Sequence, residues 1–183
     1  MRRERRVVML DDFKPTWMVE SLYHISPEKL KENGIDTILT DLDNTLIPWN
    51  NSIGTNKINE WIRFMKENGI NVIVVSNNNP KRVGIAVEKL DIPFVAHALK
   101  PLNRGIKQTL KRFKLTPKQV VMVGDQLMTD IWAANNCHIK SIWVKPLVET
   151  DMFPTKINRF LESVVYKKLK KKYPNLNWKE DIY

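Results

Sequence analysis

A single cysteine, Cys137, excludes an internal disulfide and fits a reducing compartment. The only histidines, His24, His97 and His138, have no metal-ligand partners at useful spacing, which assigns them core or surface roles. No stretch approaches the roughly 18 consecutive apolar residues of a membrane span. Arg2, Arg3, Arg5 and Arg6 resemble the start of a signal peptide. However, Val7-Val8-Met9-Leu10 is too short an apolar core before Asp11-Asp12. Internal repeats, low-complexity tracts and an interdomain linker are absent. These absences predict a cytoplasmic chain whose 183 residues, 1–183, form one domain with a proper core.

What is present is ordinary in hydrophobic content, 43%, and in charged content, 27%. The balance of charge is not ordinary. A formal net charge of +10 predisposes the chain to anionic partners. Much of the excess lies at the ends, in the N-terminal arginines and in "YKKLKKKYP" (166–174), where Lys167, Lys168, Lys170, Lys171 and Lys172 cluster. Solubility alone is the competing explanation for both clusters.

Apolar β-branched runs alternate with helical patterns. The expected strands are Thr37–Asp41, Asn71–Ser76, Pro93–Ala96, Val120–Gly124 and Ser141–Lys145. Ile58, Trp61, Ile62 and Met65 share one helical face, with Gly69 as the stop. Asn79 and Pro80 open a second helix that turns Val83, Ala86, Val87 and Leu90 inward. Ile106, Leu110 and Phe113 mark a third, and Ile131, Trp132 and Ala134 a short fourth. Ile157, Phe160, Leu161, Val164 and Val165 mark a long terminal helix. Such alternation predicts an α/β fold with a mainly parallel sheet covered on both faces. Within it, residues 1–34 form an arm and first helix, 35–146 the motif-bearing core, and 153–173 a basic C-terminal helix.

In open parallel sheets, chemistry gathers beyond the carboxyl ends of the strands. Those ends carry Asp41 and Asp43, then Ser76-Asn77-Asn78, then Lys100 in "HALKP", then Asp125. Clustered acids repel unless a cation joins them, and oxygen-only ligands favour Mg²⁺ over Zn²⁺. Ser76 and Lys100 remain as groups that bind an anion. A metal, a lysine, a hydroxyl and a spare carboxylate make a phosphoryl-transfer site. An EF-hand register from Asp41 fails, because it meets Leu46 and Ser52 where glycine and glutamate are needed. Asn78 and Asn79 read as turn and cap residues, Cys137 as a buried small apolar residue, and Trp61, Trp132 and Trp143 as core. Trp49, just past the first motif, is a candidate substrate contact.

"DLDNTL", "VVSNN", the lysine of "HALKP" and "GDQLMTD" resemble the four ordered motifs of haloacid dehalogenase superfamily phosphatases. The resemblance covers residues 35–146 and implies a Rossmannoid three-layer α/β/α sandwich. It implies Asp41 as nucleophile and Asp43 as general acid/base. Ser76, with Asn77 beside it, and Lys100 would bind phosphoryl oxygens. Mg²⁺ would be held by Asp41, Asp125 and the Asp43 main-chain carbonyl, with Asp130 acting on it through water or as a positioner. Asn44 stands where many relatives have glycine, and asparagine tolerates that turn.

Neither residues 47–70 nor 101–119 have room for the cap through which many superfamily members select substrates. The stretch "FKPTWMVESLYHISPEKLKENGIDTILTDLDNTL" resembles the start of the YqeG-like phosphatases, a capless branch similar to mitochondrial phosphatidylglycerophosphate phosphatases. That resemblance implies dephosphorylation of an anionic phospholipid headgroup, phosphatidylglycerophosphate, with peripheral membrane association through the basic termini at the inner membrane face. Phe13, Trp17, Met18 and Leu22 are read as packed on the domain rather than as interfacial contacts. Two rivals stay open. One is a phosphatase for a soluble protein, nucleotide or sugar phosphate. The other is a nucleic-acid or ribosome-associated protein with a secondary phosphatase site, which would need aromatic platforms or a basic stripe beside the site, whereas the lysines lie on a terminal helix.

Overall fold

The computed structural model describes residues 8–48, 56–148 and 153–183. Arg2, Arg3, Arg5, Arg6 and Trp49 lie outside the described residues, as does the side chain of Ile157. Six strands pair in parallel: β1 (Trp17–Val19), β2 (Thr37–Thr40), β3 (Asn71–Val75), β4 (Phe94–Val95), β5 (Val120–Gly124) and β6 (Lys140–Val144). Their order across the sheet is β1-β6-β5-β2-β3-β4. The chain steps outward from β2 to β3 and β4, then returns to β5 on the other side of β2 and continues to β6. The reversal falls between β2 and β5, where an open α/β sheet leaves a crevice.

Strand residues feed the two faces alternately, as the period of a strand requires. Ile38, Val72, Val74, Val121 and Val123 face α1 (Pro27–Glu32), α2 (Asn56–Glu67) and α3 (Pro80–Val87). Leu39, Ile73, Val75, Val120 and Met122 face α4 (Arg104–Arg112) and α5 (Trp132–Asn136). Both faces of the central strands are covered, which explains their unbroken apolar runs. Helix starts follow local chemistry. Ser26 Oγ accepts from Lys29 N at 3.3 Å ahead of α1, and Asn79 Oδ1 accepts from Arg82 N at 2.9 Å ahead of α3. Each cap precedes a proline at the first helical position.

The five expected strands all form, and most end one residue early, so Asp41 and Ser76 stand just past β2 and β3. The sixth, β1, was not expected. It pairs with β6, and Val19 also bridges Lys179 near the C-terminus. Phe13, Trp17, Met18 and Leu22 are buried there, packed on the domain as anticipated. The three histidines are exposed and Cys137 is buried, while Trp61 and Trp143 are buried and Trp132 half-buried.

The terminal helix α6 (Phe153–Lys172) forms, but turns a different face inward from its most apolar one. Glu162 and Leu169 are buried, with Val165 and Tyr166 beside them, whereas Phe160, Leu161 and Val164 are exposed. Glu162 is drawn in because its carboxylate accepts from Met128 N at 3.2 Å. Truncating Leu169 to alanine is therefore expected to cost about 2–5 kcal/mol of stability, and Phe160→Ala under about 0.5 kcal/mol. Urea unfolding of the two variants checks this, and comparable losses would place Phe160 in the core.

Candidate active site

The crevice between β2 and β5 is where the sequence motifs meet. The first motif turns sharply after β2: Leu46 N and Ile47 N both donate to Leu42 O at 3.0 Å, and Asn44 takes a φ of 64°. Leu42, Leu46 and Ile47 are wholly buried, which anchors the turn and leaves Asp41 and Asp43 partly exposed. Asp41 N donates to Val123 O at 2.9 Å, tying the turn to β5.

The second and third motifs are laced together. Ser76, buried after β3, accepts at its hydroxyl from Asn78 N at 3.1 Å. The Asn77 amide clamps the main chain of Lys100, accepting from its N–H at 2.7 Å and donating to its carbonyl at 2.9 Å. Leu99, just before Lys100, has a φ of 57°, a costly conformation for leucine that this clamp helps to hold. Gly105 at the start of α4 lies so close to Ala98 that an added Cβ would sit 2.5 Å from its main chain.

These devices deliver the Lys100 side chain, 1% exposed, into the acidic cluster. Its ammonium donates to Asp41 Oδ1 at 2.6 Å and to Asp130 Oδ1 at 2.7 Å. Asp125, just past β5, accepts from Thr45 Oγ1 at 3.0 Å, and its carbonyl accepts from Trp143 Nε1 at 2.9 Å. Asp130 sits in a π-helical turn, Leu127–Ile131, where its other oxygen accepts from Gln126 N at 3.1 Å. Gly124 makes room for it: a Cβ there would lie 2.3 Å from the Asp130 side chain.

Asp41, Asp125 and Asp130 each place one oxygen within 4.8 Å of the others. Among the described residues, Lys100 pairs with two of these three carboxylates, Asp41 and Asp130. Burial pushes the Asp41 carboxyl up to about 7; Lys100 opposes this, while Asp130 and Asp125 add to it. For Lys100, burial disfavours the charge, but Asp130 and Asp41 outweigh it and hold the ammonium above the usual lysine range. The cluster thus has the donor set of a hard divalent cation and an excess of negative charge for it to balance.

Asp43 lies outside that cluster. Its Oδ2 accepts from Asn78 Nδ2 at 2.6 Å, and its Oδ1 accepts from Arg82 Nη2. Asn79 is the expected cap, but Asn78 does more than turn the chain. Asn78, Arg82 and Thr45 are the residues around the cluster that sequence reasoning missed; their partners lie 35 to 80 positions away. The Asn77 side chain is directed at the main chain of Lys100. A groove of about 560 Å³ opens at the other end of the sheet near Thr37 and Asn71, and none of the converging motif residues line it.

The chain matches the family model "Hydrolase: haloacid dehalogenase-like hydrolase" over residues 14–138. It is 40% identical over 168 residues to "Probable phosphatase YqeG" of Bacillus subtilis (strain 168), covering 92% of this chain and 97% of that protein. It is 29% identical over 90 residues to a glyceraldehyde 3-phosphate phosphatase of Pyrococcus furiosus, covering 44% of this chain and 38% of that one. A solved structure of an uncharacterized protein from Listeria monocytogenes serotype 4b shares the fold. It has a TM-score of 0.52 at 16% identity, over 73% of this chain and 99% of that one. With its motifs gathered at one crevice and a family match across most of its length, the chain belongs to the haloacid dehalogenase-like hydrolases and is a phosphatase of that family.

Proposed function

We propose that the protein hydrolyses a phosphomonoester with Mg²⁺ through an aspartyl-phosphate on Asp41, and that its substrate is phosphatidylglycerophosphate in an anionic membrane. The observation that carries the reaction is the Lys100 ammonium 2.6 Å from Asp41 and 2.7 Å from Asp130, with Asp125 in the same cluster. Asp41, Asp125 and the Asp43 main-chain carbonyl would hold Mg²⁺, with Asp130 behind them. When bound, the ion supplies the charge that neutralises phosphoryl oxygens next to carboxylates.

The chain's own residues do the rest. Asp41 attacks phosphorus, forming a P–O bond as the bond to the leaving alkoxide breaks. Lys100 screens the nucleophile and holds a phosphoryl oxygen, alongside the Ser76 hydroxyl and the Asn77 main-chain N–H. Asp43 gives its proton to the departing alkoxide. It then takes one from the water that cleaves the acyl phosphate, returning Asp41 to a carboxylate and releasing phosphate.

The site lies open, for the described residues form no second domain over the crevice. Exposed Leu99 and Leu102 flank Lys100 and Pro101, and exposed Phe160 and Leu161 directly precede Glu162, which accepts from Met128 N, three positions after Asp125. Lys167, Lys168 and Lys171 continue the exposed side of α6. Apolar residues near an open site, and basic residues farther along the same helix, support a lipid headgroup as substrate. Lys170 and Lys172 belong to the fold instead: the first donates to the carbonyls of Pro174 and Leu176, the second pairs with Asp11. A soluble sugar phosphate is the second reading, favoured by the Pyrococcus furiosus relative over less than half the chain.

Two outcomes follow. Mg²⁺ must displace a proton from Asp41 below about pH 7, because the cation needs the carboxylate. Calorimetry should therefore show Mg²⁺ affinity rising about tenfold per pH unit between about pH 5.5 and 7, then levelling off. Equal affinity across that range would refute the shared site. Second, phosphate release from phosphatidylglycerophosphate vesicles should exceed that from soluble sugar, nucleotide and peptide monoesters. A triple substitution Lys167→Gln, Lys168→Gln, Lys171→Gln should weaken vesicle binding and lipid turnover but leave a small soluble ester unaffected. Vesicle binding should also fall with salt, since exposed charge is screened over about 10 Å at 0.1 M. Efficient cleavage of a soluble metabolite with the lipid ignored would overturn the substrate, not the chemistry.

A further inference from the structure

The acid/base position presents a geometric problem that points to a second binding site. Both oxygens of Asp43 are engaged, Oδ1 by Arg82 and Oδ2 by Asn78. A carboxyl group that protonates a leaving oxygen needs one of its own oxygens turned to that atom. A proton carried on either oxygen competes with the partner already there, so the release of one partner favours the transfer.

Asn78 is fixed at both ends of its main chain. Its N–H donates to Ser76 Oγ at 3.1 Å, and its carbonyl accepts from His97 N at 2.9 Å. Arg82 is different, with a long side chain that is 32% exposed on the first turns of α3. It is the longer of the two partners. A guanidinium drawn off a carboxylate requires another anion, and its planar fork suits a phosphate or phosphodiester.

That anion is not the transferred phosphoryl group, which Lys100, Ser76 and the cation of the proposed mechanism already hold. It lies on the leaving-group side, because Arg82 is reached through Asp43. A groove of about 310 Å³ opens at Arg82, lined by Asn79, Lys81, Arg82 and Ile85. Lys81 adds a second positive charge, and exposed Ile85 adds an apolar border.

We infer that Arg82, with Lys81 beside it, binds a second anionic group on the substrate's alcohol, and that this binding releases Asp43 for proton transfer. The ligand class is a phosphomonoester whose leaving group carries a phosphodiester a few bonds away. The inference rests on the phosphatase reading above and deepens it, for a phospholipid headgroup phosphate of the proposed kind has this form.

The test compares two water-soluble esters with Mg²⁺ and the full chain. One is glycerol 3-phosphate, and the other is the same ester joined through a phosphodiester to a second glycerol. The wild-type protein should favour the diester-bearing ester in kcat/KM by about tenfold or more, with kcat higher as well as KM lower, as one charge-assisted bidentate contact that also frees the acid allows. Arg82→Gln, checked for folding by its unfolding transition, should reduce that ratio to about two or less, and Arg82→Lys should fall between. A wild-type ratio near one, or an unchanged ratio in Arg82→Gln, overturns the inference. Neither ester has acyl chains. A protein that discriminates between them yet ignores the vesicle lipid upholds the second-anion site while defeating the lipid assignment.

Discussion

The Lys100 ammonium is the charge on which the site depends. A lysine this buried is stable only among carboxylates, and Asp41 and Asp130 could not lie so near Asp125 without it. Much of the local backbone serves this one placement. The Asn77 clamp, the positive φ at Leu99 and the absence of a side chain at Gly105 and Gly124 each remove an obstacle to bringing lysine and acids together. Burial raises the Asp41 carboxyl, and the neighbouring Asp130 and Asp125 raise it further against the pull of Lys100.

The sheet explains why these residues meet at all. Asp41 and Asp125 leave adjacent strands at the reversal between β2 and β5, while Ser76 and Lys100 arrive from the β3–β4 side. Burial of Leu42, Leu46 and Ile47 fixes the first motif as firmly as its hydrogen bonds do. The result is a rigid cluster at an open crevice. Arg82, on the surface helix α3, is the cation paired with Asp43 beside it.

The parts legible in the sequence were those with local signals. Unbroken β-branched runs ending in Asp41, Ser76 and Gly124-Asp125 marked buried parallel strands and the edge where chemistry collects. Asn79 with Pro80 announced the start of α3 by the same local logic. The missed features depend on distant partners. β1 is three residues long and exists because β6 lies beside it, with Trp17 Nε1 donating to Tyr183 O at 2.7 Å across the chain. Phe160, Leu161 and Val164 looked like a core face because apolar spacing cannot foresee that Met128 N captures Glu162. Asn78 read as a turn residue, and Arg82 gave no signal, since only the folded chain sets them against Asp43.

The central claim is that Asp41 becomes phosphorylated, and rapid quenching with peptide mass spectrometry tests it directly. With Mg²⁺ and an activated aryl phosphate, a phosphoryl adduct should map to the peptide containing Asp41, accumulate in Asp43→Asn and be absent from a folded Asp41→Asn protein. Sustained phosphate release by Asp41→Asn, or an adduct on any other residue, would contradict the account.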